Sequence, residues 1–547
     1  MPATLPQTSR LQKAGWIAAL GLTLMAVLLH LFSFTAAGAL WRDEIGLVNI
    51  SLLPSWKEIL DGLMHDHCPV VFPAVMRTWS ALGLAHTDTG WRVLGLCVGL
   101  LLPASFWAAS RMMGKSLPLL SLALVAVNPV VIRYGDSMRG YAMGMVLIVL
   151  TMGLVWRFIE VPNVWRGLLA GLAAVVSVQT LYQNAFFLLA IGVGGIVVSL
   201  RQRQLAKAFG ILGIGFVAAL SLVPYVGPIR QAQSWWVVSQ YGINLDMARH
   251  HLANLTGFFL NVWVLVVVIA AITGLGRVLL TPRQSPGSDQ QDLPLFGSIA
   301  LVLGTIGFAV FIKSSGLPTQ DWYYIPVLCF TVLCCDAVLP RVLPVTALGV
   351  LVIAIGALVI SPSACSALRW RQTNCDLLAA QISKEAKAGD LIIVHPWFNG
   401  LSFAHNYRGT TSWTTLPPIG DYRFYRYDLI KSEEQKTNAI APVLKQAEIT
   451  LRSGKRVWIV GGIPWPPADA KAPVPLPPAP NGRYGWLDQP YTVAWGKELG
   501  YFLAHHTTNV ARLVDQGTNA IPISPLENMH LTSVSGWTTD NSETNRP

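Results

Sequence analysis

Between Lys13 and Arg42 the chain carries no Asp, Glu, Lys or Arg, and such charge-free apolar runs recur as far as Arg369. One lies between Arg92 and Arg111, another between Lys115 and Arg133, another between Arg139 and Arg157. Others lie between Lys207 and Arg230, after Arg249, between Asp292 and Lys313, after Asp321, and between Arg341 and Arg369. The run between Arg166 and Arg201 is long enough for two passes, hinged near Gln179, Tyr182, Gln183 and Asn184. A helix of roughly 20 apolar residues crosses a bilayer core, because it satisfies its own backbone hydrogen bonds there. The spacing predicts about eleven transmembrane helices.

Composition narrows the classes further. Only 12% of the 547 residues are charged and 53% are hydrophobic, whereas soluble domains carry about 25% charged residues. A wholly soluble enzyme, a disordered chain and a collagen-like fibre are excluded. The net charge of +11 comes mostly from Lys and Arg in the short gaps between runs, which is a topology signal and not a nucleic-acid footprint. The basic gaps fall on the side of Arg10 and Lys13: Arg111 with Lys115, Arg157 with Arg166, Arg201 to Lys207, Arg277 with Arg283, and Arg341. That side is cytoplasmic by the positive-inside rule. An odd number of passes sends the C-terminus to the outer face of the inner (plasma) membrane. The first apolar stretch exceeds a signal-peptide core and is expected to stay as a helix.

Two segments outside the bilayer are large. Residues 37–91 are rich in Trp, Leu and Pro and read as amphipathic interfacial helices; they belong with a membrane domain spanning 1–360. Residues 361–547 read as an extracytoplasmic α/β domain. There Asp390-Leu-Ile-Ile-Val-His395 and Arg456-Val-Trp-Ile-Val-Gly461 are buried strands, preceded by helices over 375–388 and 432–452 that close at Gly389 and Gly454. A Pro-rich loop, 464–480, is extended. The seven cysteines follow no metal-finger or CxxC spacing. Cys365 and Cys375 either close a small disulfide loop or stay free, and Cys97, Cys329, Cys334 and Cys335 are expected buried and unpaired.

Four clusters carry the chemistry. Trp41-Arg42-Asp43-Glu44 sets two carboxylates at a membrane edge, where ionisable groups are costly unless paired, hydrated or used; the alternative is an acidic flank of the first helix. His65-Asp66-His67-Cys68-Pro69 offers either a divalent-metal site, a pair of histidines orienting Asp66, or a solvated run; it lacks the i, i+4 spacing of a helical zinc pair. Arg133-Tyr134-Gly-Asp136-Ser-Met-Arg139-Gly-Tyr141 sits in an outer loop that needs no basic residues for topology. Its guanidinium forks match phosphate oxygens, unless they merely pair with Asp136. Lys313 and Gln320-Asp321-Trp322-Tyr323-Tyr324 form either a ligand patch or part of the interfacial aromatic belt. The sequence holds no phosphate loop, GxSxG, HExxH or DxD, so nucleotide hydrolysis, serine-hydrolase and zincin chemistry are unsupported.

These clusters, in this order, resemble the GT-C superfamily of polytopic glycosyltransferases, and within it the bacterial protein-mannosyltransferase and aminoarabinose-transferase group, family 39. The residues are Asp43-Glu44 after the first helix, Asp66-His67-Cys68-Pro69, Arg92-Val-Leu-Gly opening the next apolar run, Asn128-Pro129 through Arg133-Tyr134, and Met138-Arg139-Gly-Tyr141. The match covers about residues 10–160. Cys68 stands where the family often has a proline, and Tyr323-Tyr324 where it has Arg-Tyr. The resemblance implies a polyprenyl-phosphate sugar donor and a lipid, glycan or protein acceptor from the outer side. In such a reaction Asp43 is the general base and Glu44 positions the acceptor or tunes Asp43. Arg133 and Arg139 hold the leaving phosphate, with Tyr141, His65, Asp66, His67 and Lys313 as further substrate contacts. Direct displacement inverts the anomeric centre. A transporter or flippase without chemistry is the main alternative, although no inverted repeat is visible. A docking or assembly protein is another.

Overall fold

A computed structural model describes residues 8–66, 68–114, 117–235, 245–257, 260–280, 289–315, 319–341, 366–467, 470–480, 487–513 and 522–538, with residues 349, 351, 352, 355 and 356. The protein is a polytopic helical chain with a small α/β part toward its C-terminus, the architecture its sequence predicts. It divides into two compact units. One holds Met1–Thr35, Cys68–Gly227 and Tyr241–Leu368; the other holds Ala36–His67, Pro228–Gln240 and Arg369–Pro547.

In the first unit, seven described helices are long and apolar enough to cross a membrane: Gln12–Ala36, Asp88–Met112, Tyr141–Glu160, Asn184–Arg201, Leu205–Gln231, Asp292–Ser314 and Asp321–Val338. An eighth is reached if the bent pair Leu245–Thr256 and Leu260–Gly276 makes one pass. The expected eleven is not confirmed. Val164–Val178 is apolar but short, and most of the run after Arg341 lies outside the described residues. The run between Lys115 and Arg133 is broken. A single turn, Leu119–Ser121, passes into the π-helical stretch Leu122–Ala126, and a new helix, Pro129–Gly135, starts after it. Asn128 accepts from the N–H groups of Val130 and Val131 (3.0 and 3.2 Å), and Pro129, which has no N–H to donate, fits the first helical position. The hinge expected near Gln179 is present: helices Val164–Val178 and Asn184–Arg201 flank it. There the Gln179 amide donates to the Ser221 carbonyl (2.7 Å) and that of Asn184 to the Gly144 carbonyl (2.9 Å).

The core of this unit is aromatic, with Phe187 stacked on Phe330 at 4.7 Å and Trp156 against Phe296 at 5.4 Å. Asp336, buried, accepts from the N–H groups of Leu120 and Ser121 (3.0 and 2.8 Å). That stabilises the broken segment by about 0.5–1.5 kcal/mol per bond, the usual net worth of an intramolecular hydrogen bond. Cys329, Cys334 and Cys335 are buried and free as expected. Cys97 is free but exposed, because it lies on the face of helix Asp88–Met112 away from Gly95 and Gly99.

In the second unit, β1 (Leu391–His395), β2 (Ser412–Thr415), β3 (Val457–Gly461), β4 (Asn509–Leu513) and β5 (Leu531–Ser535) form one sheet in the order β2-β1-β3-β5-β4. β1 pairs in parallel with β2 and β3, while β5 is antiparallel to β3 and β4. The side chains of β1 alternate as a strand period requires. Leu391 and Ile393 pack with Val443, Leu451, Leu499 and Leu503 of the helices Ala441–Arg452 and Asp488–His506. Ile392 and Val394 pack with Cys375, Leu378 and Ile382 of the helix Cys375–Glu385 on the opposite face. Each such apolar side chain contributes roughly 1.5–3 kcal/mol on burial. The helix expected over 375–388 ends at Glu385. The one expected over 432–452 is two, Tyr427–Glu434 and Ala441–Arg452. Gly454 follows the second in the left-handed region, at φ +74°. Cys375 is a free thiol inside this core, its pKa raised by burial; Cys365 lies outside the described residues. The described part of the Pro-rich loop has no regular secondary structure.

Candidate functional site

The carboxylates of the second unit sit in the first turn of the helix Arg42–Ser51, where the partial positive charge of the helix N-terminus favours them. Glu44 is wholly buried and accepts from the N–H of Trp41 (3.1 Å), closing the helix N-terminus. Asp43 stays partly open, its side chain 17% exposed. It accepts a hydrogen bond from the Tyr425 hydroxyl and lies 3.8 Å from the Arg42 guanidinium. Arg42 is itself held: its backbone N–H and guanidinium donate to Glu527 (3.1 Å each), its guanidinium also to the Leu526 carbonyl (2.7 Å), and it lies over the Phe398 ring. Burial raises the Glu527 carboxyl, and Arg42 opposes that shift. Burial, and then the charge of Asp43, push the Tyr425 phenol well above its ordinary value, so it remains a donor at neutral pH. A carboxylate of this kind, open to an incoming hydroxyl and oriented by a phenol that keeps its proton, can accept a proton.

His65 stacks on Phe424 at 4.8 Å, and its Nδ1 lies 3.1 Å from the Tyr425 carbonyl. Burial lowers its pKa, opposed by Asp428. The side chain thus braces the Tyr425 backbone. Asp66 is buried against the Arg42–Ser51 helix, close to Gly46. His67 lies outside the described residues. Among the described residues, no group of three or more His, Cys, Asp or Glu side chains is arranged to hold a metal ion.

Tyr425 was not among the residues singled out by sequence. The available signal was the run Asp421-Tyr-Arg-Phe-Tyr-Arg-Tyr427, too aromatic for a solvated loop. In the structure Arg426 bridges Asp421 and Asp428 (2.7 Å to each) and Arg423 pairs with Asp421 (2.9 Å), which fixes the loop that carries Tyr425. Burial would raise Asp421; the bonds from Arg423 and Arg426 prevail and hold it near 2.

In the first unit, Arg133 lies buried near the end of the helix Pro129–Gly135 and donates to the Ala367 carbonyl (3.3 Å). Arg139 is half-buried, its N–H bonded to the Ser137 carbonyl (2.7 Å). Tyr134 packs on Trp322 at 5.0 Å and Tyr141 meets Tyr323 edge-on at 6.5 Å. The arginine cluster and the aromatic patch, separate in sequence, thus share one surface. Lys313 is exposed in the last turn of the helix Asp289–Ser315. Asp136 pairs with His30, Nδ1 to Oδ1 at 2.7 Å.

No family model matches the chain, and no curated protein does. Among solved structures it is similar to the Archaeoglobus fulgidus oligosaccharyltransferase in complex with zinc and sulfate, at 12% identity and TM-score 0.44 over 81% of this chain and 67% of the other. The same archaeal enzyme tethered to an acceptor peptide gives 10% identity and TM-score 0.44 over 93% and 74%. ArnT from Cupriavidus metallidurans in the apo state gives 12% identity and TM-score 0.39 over 82% and 93%.

Proposed function

We propose that the protein is a GT-C-type membrane glycosyltransferase that moves a sugar from a polyprenyl-phosphate donor to an acceptor hydroxyl on the outer face of the plasma membrane. Residues 1–360 supply the membrane part and residues 361–547 the extracytoplasmic domain. The observation that carries the reading is Asp43: a partly open carboxylate in the first turn of a helix, oriented by a phenol, with a buried carboxylate beside it. In the reaction the acceptor oxygen bonds to the anomeric carbon as the bond from that carbon to the phosphate oxygen breaks. The hydroxyl proton passes to Asp43, and the lipid phosphate leaves with the electron pair. Attack opposite the leaving group inverts the anomeric centre. Arg139 and Arg133 would meet the phosphate charge as it develops, the role that preorganised cations play best.

The test uses the purified full chain in lipid nanodiscs with a radiolabelled polyprenyl-phosphate sugar. Asp43→Asn is expected to abolish transfer while the protein still inserts and remains monodisperse. Near-normal transfer by that variant would remove Asp43 as the base.

A further inference from the structure

The first unit buries an ionisable group that the proposed reaction does not use. His30 is almost fully buried within the span Gln12–Ala36, and its Nδ1 lies 2.7 and 3.0 Å from the two carboxylate oxygens of Asp136. Arg92, buried at the start of the helix Asp88–Met112, adds its charge to the same carboxylate. That helix is cut away to admit Asp136: a methyl at Gly99 would run into the carboxylate and one at Gly95 into the Asp136 carbonyl. An ionisable side chain inside a membrane span is costly and ordinarily has a task.

Asp136 lies between Arg133 and Arg139, and the backbone around it is tied to itself. Its N–H donates to the Ile132 carbonyl (2.8 Å), the Ser137 hydroxyl to the Tyr134 carbonyl (2.5 Å), and the Arg139 N–H to the Ser137 carbonyl (2.7 Å). These bonds tie the backbone on either side of Asp136 to itself. The one side-chain hydrogen bond that Asp136 makes among the described residues reaches out of the turn to His30.

We infer that His30 is a positioning residue for phosphate binding: through Asp136 it sets where the turn from Arg133 to Arg139 presents its guanidinium groups. The inference rests on the reading of those arginines as phosphate ligands. A displacement of the turn by about 1 Å is enough to cost a hundredfold in a step that depends on their placement. Asn, but not Gln or Phe, places a donor where the Nδ1–H of His30 lies.

Undecaprenyl phosphate serves as the probe, titrated against the full chain in nanodiscs, so that binding is read without turnover. Transfer assays then separate donor KM from kcat. Arg139→Lys should weaken probe binding about tenfold or more. His30→Phe should weaken it about tenfold and raise donor KM with it, Asp136→Asn should act alike, and His30→Asn should restore binding to within about threefold of the wild type. If Arg139→Lys binds the probe as the wild type does, the phosphate reading fails and this inference with it. If Arg139→Lys weakens binding but His30→Phe does not, only this inference fails. If His30→Asn is as impaired as His30→Phe, the ring is needed for packing alone and the positioning role is overturned.

Discussion

In the α/β-containing unit the carboxylates owe their setting to residues far along the chain: Tyr425 lies 382 positions from Asp43, and Glu527 lies 485 from Arg42. In the membrane unit the arginine turn carries several bonds within itself, and its long-range ties include Asp136 to His30, 106 positions back, and Arg133 to the Ala367 carbonyl, 234 positions on. The surroundings of Asp43 are thus assembled from distant segments, as the proposed proton acceptor would require. The proposed phosphate clamp would need mainly two guanidinium groups held in place, which a short turn can supply. The first region should therefore be sensitive to changes throughout its unit, the second to changes within the turn and at its anchors, His30 among them.

The largest effect is expected at Asp43. Asp43→Asn should lower kcat by about a thousandfold or more, the upper part of the range for losing a general base. Glu44→Gln should cost about tenfold to a hundredfold. Equal losses from both would make them one shared acid pair. Arg139→Lys keeps the charge but loses the planar fork, and a loss of about a hundredfold in kcat is expected. Tyr425→Phe removes a hydrogen bond to a charged group, worth about 1.5–3 kcal/mol, so kcat should fall about tenfold to a hundredfold with donor KM unchanged. A shift in donor KM instead would show that the two regions are not independent.

The smallest effect concerns stability. Glu434 is 1% exposed, and among the described residues neither of its carboxyl oxygens has a hydrogen-bond partner. Burial, and then the charge of Asp488, push its pKa up to about 9. Between the ordinary carboxyl value and that figure, the folded chain keeps a proton that the unfolded chain has released, so stability falls as pH rises. Glu434→Gln should melt higher than the wild type at about pH 8.5 and close to it at about pH 4.5. Parallel melting curves across that range would show the group ionised in the fold.

What the sequence discloses is what repeats or alternates. Seven or eight of the charge-free runs form long apolar helices among the described residues, and the hinge at Gln179 and the strands β1 and β3 are present. The strands β2, β4 and β5 carry polar residues such as Ser412, Thr414, Asn509, Arg512 and Thr532, so no apolar run marks them. The break at Asn128-Pro129 was written in capping chemistry, outweighed by the apolar length around it. His30 is a lone histidine inside the first apolar run, with no motif around it. Its partner became visible only once the span and the turn were packed together.

The ties to Tyr425 and Glu527 also fix when the carboxylate pair matures. At about 5–20 residues per second of synthesis, the 382 residues between Asp43 and Tyr425 take roughly 20–75 seconds to make. For that interval the helix Arg42–Ser51 has neither the phenol that orients Asp43 nor the carboxylate that holds Arg42. A nascent chain thus carries Asp43 and Arg42 without these partners while its membrane spans are made, and the two residues gain them only once the segments around Tyr425 and Glu527 exist.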